Sequence, residues 1–178
     1  EPVFDGEAIA ARNRRALRLG DESAGFLMQR AAEELADRLG AVERRFERAA
    51  ALFCRTPVAA AALSASGKVG EIVRVEADAA LLAGEGIVAA PETVPFEPGS
   101  LDLAVSLHAL HEVNDVPGML VQIRRALKPD GLFLGCVAGQ GTLGELREAL
   151  LQAETELHGG VSPRVFPFAD VRDAGALL

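Results

Sequence analysis

From residue 101 the chain reads LDLAVSLHALHEVNDVPGMLVQIRRALKPDGLFL, and the period of its apolar positions changes along the way. Leu101, Leu103, Val105 and the apolar residues between them form a near-continuous run, the pattern of a strand covered on both faces in a parallel sheet. Asp115 and Pro117 open a helix in which Met119, Leu120, Ile123, Ala126 and Leu127 recur at three- and four-residue steps, leaving Gln122, Arg124, Arg125 and Lys128 for water. Pro129, Asp130 and Gly131 stop that helix and turn the chain, and Leu132, Phe133 and Leu134 begin the next strand within a region expected to run over 131–137.

The same reading extends to both sides. Residues 6–19 and 22–39 predict two helices; in the second, Asp21 or Ser23 caps the start, Leu27, Ala31 and Leu35 make a four-residue stripe, and Gly40 follows the end. Strands are expected at 49–53, 72–76 and 87–89, with helical pieces at 58–63 and 77–83 and a proline-rich loop, PETVPFEPGS, before residue 101. Alternating strand and helix argue a parallel α/β sheet. Beyond it, Thr142 and Glu145 have capping-box spacing for a helix beginning near Leu143, and the closing GGVSPRVFPFADVRDAGALL reads as a loop and a short helix.

Length and charge narrow the function. The 178 residues suit one domain overall, with residues 1–48 as N-terminal helices on or over a cleft and 49–178 as the α/β body. A net charge of −8 repels a phosphate backbone, so nucleic acid is not the expected partner. Arg12, Arg14, Arg15 and Arg18 read as a solvated helix face, with a docking face as the alternative. Cys54 and Cys136 match no metal or redox spacing and suit a reducing cytoplasm. No transmembrane run or signal-peptide pattern is visible, and the chain begins at Glu1.

VSLHALHEVNDVPGMLVQIRRALKPDGLFLG, with its KPDG-type turn before a fifth strand, resembles strand four, helix and strand five of class I S-adenosylmethionine (SAM) dependent methyltransferases. Together with GQGTLGELREALLQAETELHGGVSPRVFPFADVRDAGALL and the opening FDGEAIAARNRRAL, it is similar to the methyltransferase-like assembly factors of respiratory complex I, whose mitochondrial member is associated with hydroxylating an arginine of a complex I subunit. The resemblance implies a Rossmann-like sheet in the order three, two, one, four, five, SAM as cofactor and a complex I subunit as partner. It also implies last strands beyond Leu178, which would leave strand five an edge to be covered by residues 143–178 or by a second copy in a homodimer.

Ligands of such sheets bind at the carboxyl ends of the strands. By resemblance the turn after strand one, LFCRTPV, is where a glycine-rich turn with a leading acid meets the methionine end of SAM. Here Ala51 stands at the acid and Phe53 and Pro57 at glycines, while Cys54 and Arg55 line that end. Glu76 matches the ribose-binding carboxylate, or is an exposed strand-end glutamate. Ala90 replaces an aspartate for the adenine amino group, and Ser106 closes strand four. His111 matches a histidine beside the cleft and is the candidate for substrate contact or proton transfer, or else a loop histidine bonded to its own turn. His108 and His111 lack a third metal ligand, and Asn114 and Asp115 read as helix caps.

Each hydrogen bond lost to a charged partner costs roughly 1.5–3 kcal/mol, so the two missing acids weaken SAM binding by roughly a hundredfold or more. Two readings stay open at this point. One is a SAM-dependent methyltransferase-type enzyme, or a protein arginine hydroxylase by resemblance. The other is a non-catalytic assembly protein that keeps the fold.

Overall fold

The computed structural model describes residues 2–82 and 84–178. The chain forms two compact units, Glu1–Val137 and Ala138–Leu178. The first contains α1 (Gly6–Leu19), a 3-10 turn (Glu22–Gly25), α2 (Phe26–Gly40), β1 (Phe46–Leu52), α3 (Val58–Ala65), β2 (Val69–Glu76), α4 (Ala79–Leu82), β3 (Ile87–Val88), β4 (Leu101–Leu107), a 3-10 turn (Leu110–Glu112), α5 (Val116–Ala126) and β5 (Leu127–Cys136). The second contains α6 (Gly144–His158) and α7 (Val171–Ala176).

The five strands pair in the order β3-β2-β1-β4-β5, all parallel, as expected. Every residue of β4 is buried, which explains the unbroken apolar run. Alternation along β1 divides the core in two. Ala49 and Ala51 pack with Ala31, Leu35 and Leu39 of α2 and with Ala59 and Leu63 of α3. Ala50 and Leu52 pack with Val75, Ala104 and, from α5, Met119, Ile123 and Ala126. Burying each such leucine or valine contributes roughly 1.5–3 kcal/mol.

Several local expectations are corrected. Strand β1 starts at Phe46 rather than 49 and ends at Leu52, because Phe46 is itself core and pairs with Val69. Leu27 is 57% exposed; the buried stripe of α2 is Ala31, Ala32, Leu35 and Leu39, one turn farther along. Asp21 caps the 3-10 turn, accepting from Ser23 N–H, and Gly40 is the last residue of α2 rather than a residue beyond it. The helical piece expected at 77–83 is α4, and Ala83 lies outside the described residues.

The KPDG segment does not end α5. The helix stops at Ala126, Leu127 is already extended and pairs with Leu101, and pairing resumes only at Leu103 with Leu132. Lys128–Gly131 therefore loop out of β5 as a large bulge, with Asp130 at φ +62°. Lys128, expected in water, instead pairs with Asp102 at 3.2 Å and Glu47 at 3.3 Å, while Arg44 donates to the Asp130 carbonyl. Gln122, also assigned to water, donates to the Glu92 carbonyl and accepts from Val94 N–H.

In the second unit the capping box does not form. Leu143 precedes α6 in the left-handed region and no side chain caps that end. Asp170 does cap α7, accepting from Arg172 N–H.

The backbones of β1 and β2 approach closely at Gly70. A Cβ at Gly70 would stand 2.8 Å from the Glu47 carbonyl oxygen, an atom held in the sheet. Gly70→Ala should therefore lower the urea midpoint by the equivalent of about 1–3 kcal/mol without changing the slope.

Candidate functional site

Strand β1 lies between β2 and β4, so consecutive connections leave it toward opposite sides and a crevice opens at the carboxyl ends. Its floor begins with the turn after β1. Phe53 N–H donates to the Val75 carbonyl at 2.8 Å, and Phe53 and Arg55 both take left-handed conformations, φ +54° and +62°. Such a conformation favours glycine and costs other residues about 1–2 kcal/mol each. The turn thus keeps a glycine-type path while carrying two large side chains. Pro57 sits just before α3, where its missing N–H removes no helical bond, and its carbonyl accepts from Ala61.

Glu76 closes β2 with 1% exposure, so the exposed strand-end alternative is excluded. Its carboxylate meets Arg74 at 3.3 Å and the backbone N–H of Arg55. Burial pushes its pKa up to about 7, against the opposing pull of Arg74 and Arg55. The terminal nitrogens of Arg74 also donate to the carbonyls of Leu81 and Leu82, while its buried Nε has no partner among the described residues. Across the crevice the Arg55 guanidinium pairs with Glu112, tying the β1 turn to the 3-10 turn after β4.

Helix α1 roofs this floor. Ile9, Ala10 and Asn13 line, with Phe53, Arg55 and Glu76, a cavity of about 90 Å³. Arg14 pairs with Asp78 at 2.8 Å. At the other end Asn114 accepts from Phe4 N–H at 2.8 Å and donates to the Phe4 carbonyl at 3.2 Å, its amide also meeting Glu92. Asn114 is thus a latch for the N-terminal segment, and the cap of α5 is Asp115, accepting from Gly118 N–H. Neither Arg14 nor Arg74 was legible as part of a site, although Arg74 and Glu76 share a strand face by their two-residue spacing.

Of the expected site residues, Phe53, Arg55 and Glu76 come together at the cavity. Cys54 points the other way, into the core with Leu63 and Val105, and burial pushes its thiol up to about 12. Ser106 is fully buried with Oγ unpartnered among the described residues, and Ala90 closes a turn with Thr93; neither lines the cavity. His111 sits on the 3-10 turn after β4 and does not line the cavity, its ring centroid 6.3 Å from that of His108. Burial, then the charge of Arg55 and then His108 lower its pKa to about 4, so the imidazole is neutral at pH 7. Among the described residues no three side chains form a metal-binding group.

A family profile described as Methyltransferase domain matches residues 48–135. Residues 48–135, from β1 to β5, are thus similar to a methyltransferase domain, and the sheet has the methyltransferase fold. The arginine-hydroxylase NDUFAF5, mitochondrial, of Mus musculus is 37% identical over 185 residues, covering 99% of this chain and 54% of that protein. The Homo sapiens protein of the same name is 50% identical over 92 residues, 52% of this chain and 27% of its own length. The chain thus spans about half the length of the mouse relative. A SAM-dependent methyltransferase structure from Thermotoga maritima has a TM-score of 0.63 at 17% identity, covering 89% of this chain and 74% of its own, a likeness of fold.

Where the sequence resemblance puts SAM, side chains occupy the crevice. Phe53 stands on the turn, the Glu76 carboxylate is engaged by Arg74 and Arg55, and the cavity of about 90 Å³ is well below the roughly 300–1,000 Å³ of small-molecule sites. These residues do not fit SAM in the arrangement present.

With its pKa raised, Glu76 retains in the folded protein a proton that the unfolded chain loses above its ordinary value of 4.5. Its contribution to stability is therefore present in acid and lost as pH rises through about 7. Glu76→Gln should flatten that decline, read as urea midpoints between about pH 5 and 8.

Proposed function

We propose that this chain is the methyltransferase-fold core of a protein that acts on a protein partner in respiratory complex I assembly, holding that partner rather than transferring a methyl group. The observation that carries this reading is the occupied crevice: Phe53 in a glycine-shaped turn beside a Glu76 carboxylate already held by Arg74 and the Arg55 amide. The complex I assignment is supported by the sequence likeness to assembly factors and by the arginine-hydroxylase relatives. Two free cysteines suit a reducing compartment, the cytoplasm in this proposal, and among the described residues no helix is long and apolar enough to cross a membrane.

The relatives' name favours a second reading, in which the chain modifies an arginine of its partner. There His111 would face the acceptor, although an imidazole with a pKa near 4 is a weak proton acceptor at neutral pH.

Calorimetric titration with SAM separates these readings. On the proposal SAM binds weakly or not at all, and Phe53→Gly, which removes the side chain from the β1 turn, strengthens it; low-micromolar affinity in the unmodified chain would overturn it. Strand β5 ends the sheet, and pairing there with a second copy belongs to the same proposal. Light scattering should then give a mass that rises with concentration, and a constant monomer mass would remove the dimer.

A further inference from the structure

The unit Ala138–Leu178 holds a groove of about 330 Å³ between α6 and the loop 161–167, within the roughly 300–1,000 Å³ of small-molecule sites. Leu150, Leu151, Val165 and Phe166 make it apolar, and Arg147 and Arg164 supply its cations. The groove is held in shape by Glu154, which accepts from Ser162 N–H at 2.6 Å and from Arg164 Nε at 2.5 Å. That pairing neutralises Arg164. Arg147 is half-buried and donates to the Gln140 carbonyl at 3.4 Å; no carboxylate among the described residues pairs with it.

A partly desolvated guanidinium beside an apolar wall calls for an anion attached to an apolar body. The surroundings limit how many charges that ligand carries. The unit has six carboxylates, Glu145, Glu148, Glu154, Glu156, Asp170 and Asp173, against three arginines, Arg147, Arg164 and Arg172, a balance of −3. A multiply acidic peptide is repelled by that field, whereas a single carboxylate pairs with Arg147 at short range.

We infer that this groove is a binding site for a linear monocarboxylate, its apolar tail on Leu150, Leu151 and Phe166 and its carboxylate on Arg147. The site stands apart from the reading of the crevice, and either can fail without the other.

Calorimetry on the full chain with decanoate, below its micelle-forming concentration, tests the inference against decanol and decyltrimethylammonium. Decanoate should bind saturably, about tenfold or more tighter than the other two. Arg147→Gln should bring decanoate down to the level of decanol, and Arg147→Lys should restore most of the difference. Backbone amide shifts in the unmodified chain give a reading that needs no variant, and on decanoate addition they should concentrate in residues 147–167. Equal affinity for decanoate and decanol, no saturation, or shifts confined elsewhere would overturn the assignment.

Discussion

Burial of β1 and β4 on both faces is the constraint from which the rest follows. With every residue of β4 and the last four of β1 removed from water, the middle of the sheet has almost no room for polar side chains. Polar chemistry is pushed to the strand ends. At the amino ends Asp102 is the exception within β4, satisfied by Arg48 N–H and Lys128, and it anchors the bulge of β5. At the carboxyl ends the Arg74–Glu76 pair and the Arg55–Glu112 pair converge.

That convergence changes the character of the crevice. Breaking a buried pair by removing one partner typically costs about 3–5 kcal/mol, because the remaining charge is left in a low dielectric. Arg74 and Glu76 are therefore committed to each other and to the backbone around them, and Arg55 is committed to Glu112 on the facing turn. In an open cofactor site the same carboxylate would be available to a ligand's hydroxyl groups. Here the turn's left-handed residues and the roof of α1 leave a small space whose carboxylate is already engaged, the physical basis for favouring partner binding over methyl transfer on a methyltransferase scaffold.

How much of this was legible differs from residue to residue. The buried strands and the helices around them were legible because two-face burial and helical amphipathicity leave distinct periods in the sequence, while the strand order came with the methyltransferase resemblance. Phe53, Arg55 and Glu76 were also recognisable, through the resemblance that sets them at strand ends beside the crevice. Cys54, Ser106 and Ala90 were placed at the same ends but face the core or a neighbouring turn. Alternation of side chains along the backbone decides that, and a turn with two left-handed residues resets the alternation.

Fold class and buried strands were already present in the sequence, since each depends on local composition and spacing, and the departures from a glycine-rich cofactor turn were visible against the methyltransferase resemblance. Only the tertiary structure decided which charges meet. Arg14 finds Asp78 across 64 residues, Asn114 finds Phe4 across 110, and Lys128 finds Asp102 across 26. Such pairs carry no periodic signal, because a solvated arginine and a latching arginine look alike until the sheet brings distant loops to one edge. The loop-out of Lys128–Gly131 and the missing cap at Leu143 have the same origin: local turn and cap preferences are worth about 1 kcal/mol each, less than the burial that tertiary packing adds around them.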